Sequence, residues 1–279
     1  MTIVVTGASG LLGSEFVAAG VRRAAEIVGL TRAELDVTDL GATRRVIADT
    51  GPAWIVHCAA YTAVDRAEAE PEEAMRVNHG GTINVVSAAA EAGARLFYVS
   101  TDYVFDGAKG SPYRPDDPVA PGSVYARSKR AGEEAVLGAG GVIARTGWLY
   151  GSGGRNFVEA ILDRAERGES LRVVDDQRGR PTWARNVAEV VLDLIARDVE
   201  DGIWHVADAG EATWLDFARE AVAIRGLDTT IEGVSTKAWG APAPRPKYSV
   251  LDLRRTEEAV GRPMMEWRQA LRRYLAENR

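Results

Sequence analysis

A tyrosine and a lysine four residues apart have the spacing of an acid–base pair. Tyr125 and Lys129 lie in the segment YARSK, and residues at i and i+4 project from one face of a helix. A phenol ionises near pH 10, and a nearby ammonium group lowers that pKa toward neutrality. Thr101 lies 24 residues upstream at the end of an apolar run, where its hydroxyl can hold a substrate oxygen. The three residues predict proton transfer in carbonyl–alcohol chemistry.

A glycine-rich segment at the amino terminus predicts a phosphate-binding turn. Residues 2–6 form a β-branched run typical of a buried strand, and residues 15–25 have helical composition. Gly7, Gly10 and Gly13 lie between them with the spacing GxxGxxG. Such a turn lets backbone N–H groups reach a pyrophosphate at the positive end of a helix dipole. We therefore expect a dinucleotide at this turn.

Composition and charge argue against several classes of protein. The chain has 279 residues, 46% of them hydrophobic, a net charge of −6 and one cysteine, Cys58. Dispersed basic residues argue against a nucleic-acid partner, and a lone cysteine excludes an intrachain disulfide framework. The histidines are scattered, with no zinc-like spacing. No signal peptide or membrane-length apolar run is found, so we expect a cytoplasmic protein without a membrane partner.

Strand and helix candidates alternate through the first half of the chain. After residues 2–6, buried strands are predicted at 27–30, 54–60, 96–100 and 142–145, and helices at 40–48 and from Pro71 to the closing Gly93. The alternation predicts an α/β fold of the Rossmann-like type, a doubly wound parallel sheet covered on both faces. Ligands of such sheets bind at the carboxyl ends of strands, where Gly7, Ala59, Thr101 and Thr146 all fall. Residues 1–150 would form the dinucleotide-binding domain.

The pattern changes after residue 150. We expect residues 151–279 to form a smaller, mostly helical part that binds the substrate, with a segment at 183–206 rejoining the first domain. Its predicted elements are helices at 156–167, 187–196, 214–225 and 256–277 and a strand at 171–174. A proline-rich loop at 240–249 separates the last two helices. Its Arg245 can meet an anionic substrate, or the loop can be a connector.

Motifs over nearly the whole chain carry a family resemblance. They are TGASGLLG at 6–13, LDVTD at 35–39, CAAYTAVD at 58–65, STDYVFDG at 100–107, YARSK at 125–129, RTGWLY at 145–150, DQRGRPT at 176–182 and RPKYS at 245–249. With these motifs the chain resembles the extended short-chain dehydrogenase/reductases and, within them, the dTDP-4-dehydrorhamnose reductases. The early motifs occur in many extended members, whereas TDYVFDG, DQRGRPT and RPKYS together are more specific.

The resemblance implies NAD(P)H-dependent reduction of the C4 ketone of dTDP-4-dehydro-L-rhamnose to dTDP-L-rhamnose in nucleotide-sugar biosynthesis. Its catalytic residues would be Thr101, Tyr125 and Lys129. The cofactor would be lined by Gly7, Gly10, Leu11, Leu12, Gly13, Arg32, Asp36, Val37, Ala59, Ala60, Tyr61, Ser100, Tyr125 and Lys129. The substrate would meet Thr62, Val64, Thr101, Asp102, Tyr103, Trp148, Asn156 and Arg245. Val37, Val64 and Trp148 can also be read as packing residues.

Other aspects of the function stay open at this point. Related reductases act on other dTDP-4-keto-6-deoxysugars, and a similar fold serves as a noncatalytic NADP-binding regulatory subunit of methionine adenosyltransferase. The complete set of Thr101, Tyr125 and Lys129 favours an enzyme. Some relatives bind Mg²⁺ between subunits through an acid at the position of Glu15, so a homodimer and a metal are open, although a solvated Glu15 is the simpler reading.

The residues after the second predicted strand bear on the choice of cofactor. An acid there holds the 2′-hydroxyl of NAD, whereas an arginine accommodates the 2′-phosphate of NADP. Here Thr31 and Arg32 follow the strand at 27–30, with Asp36 slightly further on. This order favours NADPH and leaves NADH usable, provided that Arg32 does not simply point into solvent. Asp36 would lie near the adenine.

Overall fold

The structure is a computed structural model that describes residues 1–154 and 156–278. Its strands are β1 (Ile3–Thr6), β2 (Ile27–Leu30), β3 (Trp54–His57), β4 (Arg95–Thr101), β5 (Val142–Thr146), β6 (Leu149–Tyr150), β7 (Leu171–Val174), β8 (Arg178–Gly179), β9 (Thr182–Trp183), β10 (Gly202–His205), β11 (Ala212–Thr213) and β12 (Ile231–Val234). Its α-helices are α1 (Leu11–Arg23), α2 (Leu40–Thr50), α3 (Val64–Ala67), α4 (Pro71–Met75), α5 (Thr82–Ala92), α6 (Val124–Gly138), α7 (Phe157–Glu166), α8 (Ala184–Ala196), α9 (Trp214–Arg225), α10 (Thr236–Trp239), α11 (Arg254–Val260) and α12 (Trp267–Glu277).

Six of the strands form one parallel sheet with the order β10-β5-β4-β3-β1-β2. Alternate residues of each strand point to opposite faces, so Ile3 and Val5 pack with α1 and α8, whereas Val4 packs with α2 and α5. Both faces are therefore covered, which is why β1, β3 and β5 are buried along their whole length. The predicted Rossmann-like fold is confirmed.

The carboxyl-terminal part has a core of its own. Helices α7, α9 and α12 pack together with β7 around Trp183, Phe217 and Trp267. Within the segment 183–206, α8 packs against α1 and β10 pairs with β5, so this segment lies on the large sheet. The division of the chain at residue 150 stays a prediction. In the described part of the chain, no helix combines the length and the apolar character needed to cross a membrane.

Three helix predictions were wrong in detail. Helix α1 begins at Leu11, so Gly13 lies in its first turn, and the helix starts before the segment at 15–25 that the sequence predicted. The helix expected from Pro71 to Gly93 contains a π-helical segment at Arg76–Gly81 between α4 and α5. The helix expected at 256–277 is two helices, α11 and α12. Gly261 ends α11 with a left-handed φ of 71°, and a proline two residues later prevents the helix from continuing.

Candidate active site

An open cleft lies at the carboxyl ends of the central strands. Its cavity volume of about 770 Å³ lies within the roughly 300–1,000 Å³ of a usual ligand pocket. Most of the predicted site residues line it, namely Gly7, Gly10, Leu11, Leu12, Gly13, Arg32, Asp36, Val37, Ala59, Ala60, Tyr61, Thr62, Val64, Ser100, Thr101, Asp102, Tyr103, Tyr125, Lys129 and Trp148. Asn156 and Arg245 lie outside this lining.

The glycine turn between β1 and α1 has the close approaches that a pyrophosphate site needs. Gly7 has a φ of 69°, and a Cβ built on it would lie 2.7 Å from the backbone N of Ala59. A Cβ on Gly13 would lie 2.2 Å from the carbonyl oxygen of Gly7. Gly10 is the N-cap of α1 and lines the cleft with Leu11. The turn thus presents a helix N-terminus to the cleft, where a phosphate can bind.

At one end of the cleft, Arg32 and Asp36 lie next to each other. Asp36 accepts hydrogen bonds from the Oγ1 and N of Thr38, at 2.7 and 3.0 Å, and these bonds lower its pKa. Arg32 is 78% exposed at its side chain, and its Nη2 is 3.8 Å from Asp36 Oδ2. A pair this exposed is weak. The guanidinium of Arg32 is therefore available to a phosphate that enters beside it.

The centre of the cleft holds Tyr125 and Lys129 on α6. Ser123 caps this helix by accepting from the N of Ala126 at 3.1 Å. The Nζ of Lys129 donates to the carbonyl oxygen of Val99 at 2.7 Å and lies 4.0 Å from the centre of the Tyr98 ring. Lys129 is buried, and burial lowers its pKa to about 7.

The pKa of Tyr125 differs from the prediction. Burial raises it to about 12, while the nearby hydroxyl of Thr101 acts in the opposite direction. The expectation that Lys129 would lower this pKa is wrong for the structure, because desolvation of the phenolate dominates. The phenol therefore keeps its proton through the neutral range.

A buried asparagine that sequence reasoning missed fixes the loop after β3. Asn78 lies in the π-helical segment, and its Oδ1 accepts from the N of Tyr61 at 2.7 Å. Its Nδ2 donates to the carbonyl oxygen of Tyr61 and to Ser128 Oγ, at 3.0 and 2.9 Å. These contacts join Tyr61 to α6 and place both on the cleft. Short π-helical turns are frequent at functional sites, but a single sequence carries no signal for them.

Thr101 and Asp102 are adjacent at the end of β4. Thr101 Oγ1 accepts from the N of Tyr103 and donates to Asp102 Oδ1, both at 3.2 Å. Asp102 is 2% exposed, and its Oδ2 accepts from Ser249 Oγ at 2.5 Å. Burial raises the pKa of Asp102 to about 7. Asp102 was predicted to contact the substrate, but the structure directs its carboxyl group to these two hydroxyls.

Two tryptophans form a wall of the cleft. Trp148 stacks on Trp214, and both rings line the cleft with Thr62 and Val64. Trp214 begins α9 and was not predicted as a site residue, because nothing in its surrounding sequence indicates a ligand. Paired apolar rings of this kind suit the face of a sugar or a nucleobase.

Arg245 and Asn156 contact other parts of the protein. Arg245 donates to both carboxylate oxygens of Asp65 at 2.8 Å, and to the carbonyl oxygen of Ala243 at 2.9 Å. This ion pair does not support the expected contact with a substrate diphosphate. Asn156 caps α7 by accepting from the N of Val158 at 3.0 Å. Its side chain therefore has a structural role rather than the predicted contact with substrate.

Glu15 is not the solvated surface residue that the sequence indicated. It is 5% exposed, and its Oε2 lies 3.8 Å from Arg22 and 3.7 Å from Arg185. Across residues 1–154 and 156–278, no group of three or more His, Cys, Asp or Glu side chains could hold a metal ion. His57 is buried between Thr6 and Thr82, and burial lowers its pKa to about 3, consistent with a structural role.

Comparisons with known proteins agree with these motifs. The family model described as the RmlD substrate binding domain matches residues 1–279. A dTDP-4-dehydrorhamnose reductase of Streptomyces griseus is 44% identical over 276 residues, which cover 96% of this chain and 91% of the relative. The spore coat polysaccharide biosynthesis protein SpsK of Bacillus subtilis is 40% identical over 277 residues, covering 99% and 97% of the two chains.

A solved structure is similar along the full length. The dTDP-4-dehydrorhamnose reductase of Bacillus anthracis in complex with NADP has a TM-score of 0.95, with 34% identity and coverage of 99% of both chains. The predicted family resemblance is confirmed. The chain belongs to the family described as the RmlD substrate binding domain, whose members named above include dTDP-4-dehydrorhamnose reductases.

Proposed function

We propose that this protein is an NADPH-dependent reductase of the C4 ketone of dTDP-4-dehydro-L-rhamnose, with dTDP-L-rhamnose as product. The observation that carries the proposal is the position of Thr101, Tyr125 and Lys129 in one cleft, between the glycine turn and the tryptophan wall. The relatives from Streptomyces griseus and Bacillus anthracis bear the name of this activity, and each aligns with more than nine tenths of the length of this chain. Their names support the substrate class.

The residues present fit a dinucleotide. Gly7 and Gly13 let the backbone of the turn pack closely against Ala59 and against itself, and the N-terminus of α1 faces the cleft beside them. Arg32 would bind the 2′-phosphate, which favours NADPH and leaves NADH usable. Lys129 would hold the nicotinamide ribose, and Ala59, Ala60 and Tyr61 would line the rest. When bound, NADPH supplies the hydride that is added to C4.

The chain's own residues supply and position the proton. Tyr125 keeps its proton at neutral pH, because burial holds its pKa at about 12. It donates this proton to the C4 oxygen as negative charge develops there. Thr101 lies beside the phenol, and its hydroxyl, whose hydrogen bonds to Asp102, can accept a hydrogen bond from the C4 hydroxyl that forms. Trp148, Thr62, Val64 and Tyr103 line the cleft, where they would contact the sugar and its nucleotide.

Several finer points are part of the proposal. Two arginines lie within 4 Å of the buried Glu15 carboxylate. Because its charge is already compensated, we expect catalysis without Mg²⁺ even if the protein is a homodimer. We place the reaction in the cytoplasm, where nucleotide sugars and NADPH are available and Cys58 stays reduced. A noncatalytic NADP-binding role is the alternative that the experiment must exclude.

A panel of dTDP-4-keto-6-deoxysugars tests the proposal. Each is offered with NADPH or NADH, loss of cofactor absorbance is followed, and the stereochemistry of the product is read by NMR. We expect dTDP-4-dehydro-L-rhamnose with NADPH to give the highest kcat/KM, unchanged by a metal chelator. A higher kcat/KM for another ketosugar would reassign the substrate. Binding of NADPH without turnover of any member would support a noncatalytic role.

A further inference from the structure

The carboxyl group of Asp102 is buried beside the reacting residues and is held on both of its oxygens. Thr101 Oγ1 donates to one oxygen and Ser249 Oγ to the other. A buried carboxylate is costly unless hydrogen-bond donors compensate it. Two hydroxyl donors at such a place form a local network that links the end of β4 to a segment almost 150 residues later in the chain.

Gly147 packs directly against the carboxyl group of Asp102, and no larger residue would fit at that position. Gly147 follows β5, and a Cβ built on it would lie 2.3 Å from Asp102 Oδ1. A side chain at position 147 would therefore push the carboxyl group away from Thr101. The slot is closed by β4, by the turn before Trp148 and by the segment around Ser249.

Ser249 belongs to a loop that is fixed at several points. Its backbone N donates to the carbonyl oxygen of Arg178 at 2.8 Å. Earlier in the loop, Arg245 pairs with Asp65. Gly107, with a φ of 78°, packs directly under Pro246, since a Cβ on it would lie 2.6 Å from the proline side chain. The loop is therefore a rigid support for the end of β4 rather than a free connector.

We propose that Asp102 and Ser249 are positioning residues, which hold the hydroxyl of Thr101 beside Tyr125 so that its free lone pair accepts from the C4 hydroxyl as Tyr125 protonates that oxygen. The inference rests on the proposed function, because it assigns a role within the same reaction. Thr101 Oγ1 has one hydrogen and two lone pairs. Its hydrogen points to Asp102 and one lone pair accepts from Tyr103, so the chain Ser249–Asp102–Thr101 fixes the direction of the second lone pair, which can accept a hydrogen from the C4 hydroxyl that reduction forms.

Kinetics test whether the two residues act through Thr101. Asp102→Asn and Ser249→Ala should each lower kcat about 10- to 100-fold, as expected when a hydrogen bond to a charged group is lost, with little change in the Kd for NADPH. Ser235→Ala, which changes a serine at the start of α10 outside the cleft, serves as the control for folding and should keep kcat.

Combination with Thr101→Val makes the test specific. If Asp102 and Ser249 work only by holding the Thr101 hydroxyl, adding either change to Thr101→Val should lower kcat by less than 2-fold more. If the fold-loss in kcat of a double variant equals the product of the losses in its two single variants, the inference is overturned. Thermal unfolding of each variant identifies any that are simply misfolded, and Ser249→Ala, which deletes one oxygen atom, is the least disruptive of them.

A second readout needs no substrate and so separates this inference from the proposed function. The ¹³C carboxyl signal of Asp102, assigned by its loss in Asp102→Asn, is titrated in the unmodified protein, in Thr101→Val and in Ser249→Ala. Both hydroxyls stabilise the ionised carboxylate, so both changes should raise the pKa of Asp102. The phenols of Tyr103 and Tyr125 face the same group and are unchanged in these variants. An unaltered pKa of Asp102 in either variant would overturn the positioning chain even if the ketosugar is reduced.

Discussion

Trp148 and Trp214 stack with their ring centroids 3.6 Å apart and their planes 2° from parallel. The backbone of Trp148 has a left-handed φ of 54°, which is unfavourable for a bulky residue and persists only where the surroundings hold it. Gly179 lies on this ring, since a Cβ there would be 2.3 Å from its Nε1. Trp214 Nε1 donates to Gln177 Oε1 at 3.1 Å. The DQRGRPT motif therefore holds Trp148 in place.

Trp214→Leu should weaken binding of the sugar nucleotide. An aromatic pair contributes about 0.5–1.5 kcal/mol beyond the burial of its area, so KM for the ketosugar should rise roughly 2- to 12-fold. The Kd for NADPH should not change, because the ring of Trp214 packs on Trp148 and Phe157 and donates to Gln177. Trp239→Leu removes an exposed tryptophan outside the cleft and is the matched control. An unchanged KM in Trp214→Leu would show that the stacking of Trp214 on Trp148 does not contribute to binding of the ketosugar.

Part of the site was predictable because its residues occur in short local motifs. The glycine turn, Thr101 and the Tyr125–Lys129 pair each follow from a strand end or a helical spacing. Trp214 and Asn78 were missed, because their roles depend on tertiary contacts with Trp148 and Tyr61. These contacts leave no periodic pattern in the sequence.

The predictions for the last helix and for the partner of Arg245 failed for physical reasons as well. The apolar pattern of the last helix continues across Gly261, and the backbone conformation of that glycine cannot be read from periodicity. Arg245 has the charge expected of a diphosphate ligand, but the fold brings Asp65 to it first. The positive charge of Arg245 predicted that its partner is negatively charged, but not whether that partner is a carboxylate of the protein or a phosphate of a ligand.

The preference for NADPH should depend on Arg32. Arg32→Ala removes the exposed guanidinium beside Asp36 and leaves Arg76 as the other cation near the acid. Binding of NADPH should fall about 10-fold or more, since a charge-assisted bond to phosphate is lost, while NADH should bind nearly as before. Fluorescence titration with both cofactors measures this. Arg44→Ala, an exposed arginine paired with Glu91 outside the cleft, controls for net charge. An equal loss of affinity for NADPH and NADH would show that Arg32 does not bind the 2′-phosphate.

The pH dependence of cofactor use should reflect Lys129. Its pKa is lowered to about 7 by burial, so the ammonium form is present below pH 7 and is lost as pH rises through that value. We expect kcat/KM for NADPH to decrease above about pH 7, with the slope of one proton. Tyr125 adds no decrease in this range, because its pKa is about 12.

Two variants separate Lys129 from the other group that titrates near pH 7. The pKa of Asp102 is also raised to about 7 by burial. Lys129→Met should have low residual activity, and its kcat/KM should no longer decrease above pH 7. In Asp102→Asn, kcat/KM should still decrease above pH 7. A decrease that persists in Lys129→Met would contradict the assignment.

The pair of Arg245 and Asp65 should act as a structural anchor for the loop at 240–249. Arg245→Ala and Asp65→Ala should raise KM for the ketosugar by similar factors, and the double variant should be no worse than either. The pair is partly exposed, so an effect of about 0.2–1 kcal/mol, or roughly 1.5- to 5-fold, is expected. If Arg245 instead binds the diphosphate, Arg245→Ala should be far more harmful than Asp65→Ala.

Single-turnover reduction by Tyr125→Phe tests the central claim most directly. With dTDP-4-dehydro-L-rhamnose and saturating NADPH, the unmodified protein should consume the cofactor and form the C4 alcohol. Loss of the proton donor should lower the rate of that step about 10²- to 10⁴-fold, while titration shows an unchanged Kd for NADPH. A rate in Tyr125→Phe within a few-fold of the unmodified protein would contradict the account, because the proton would then come from another group.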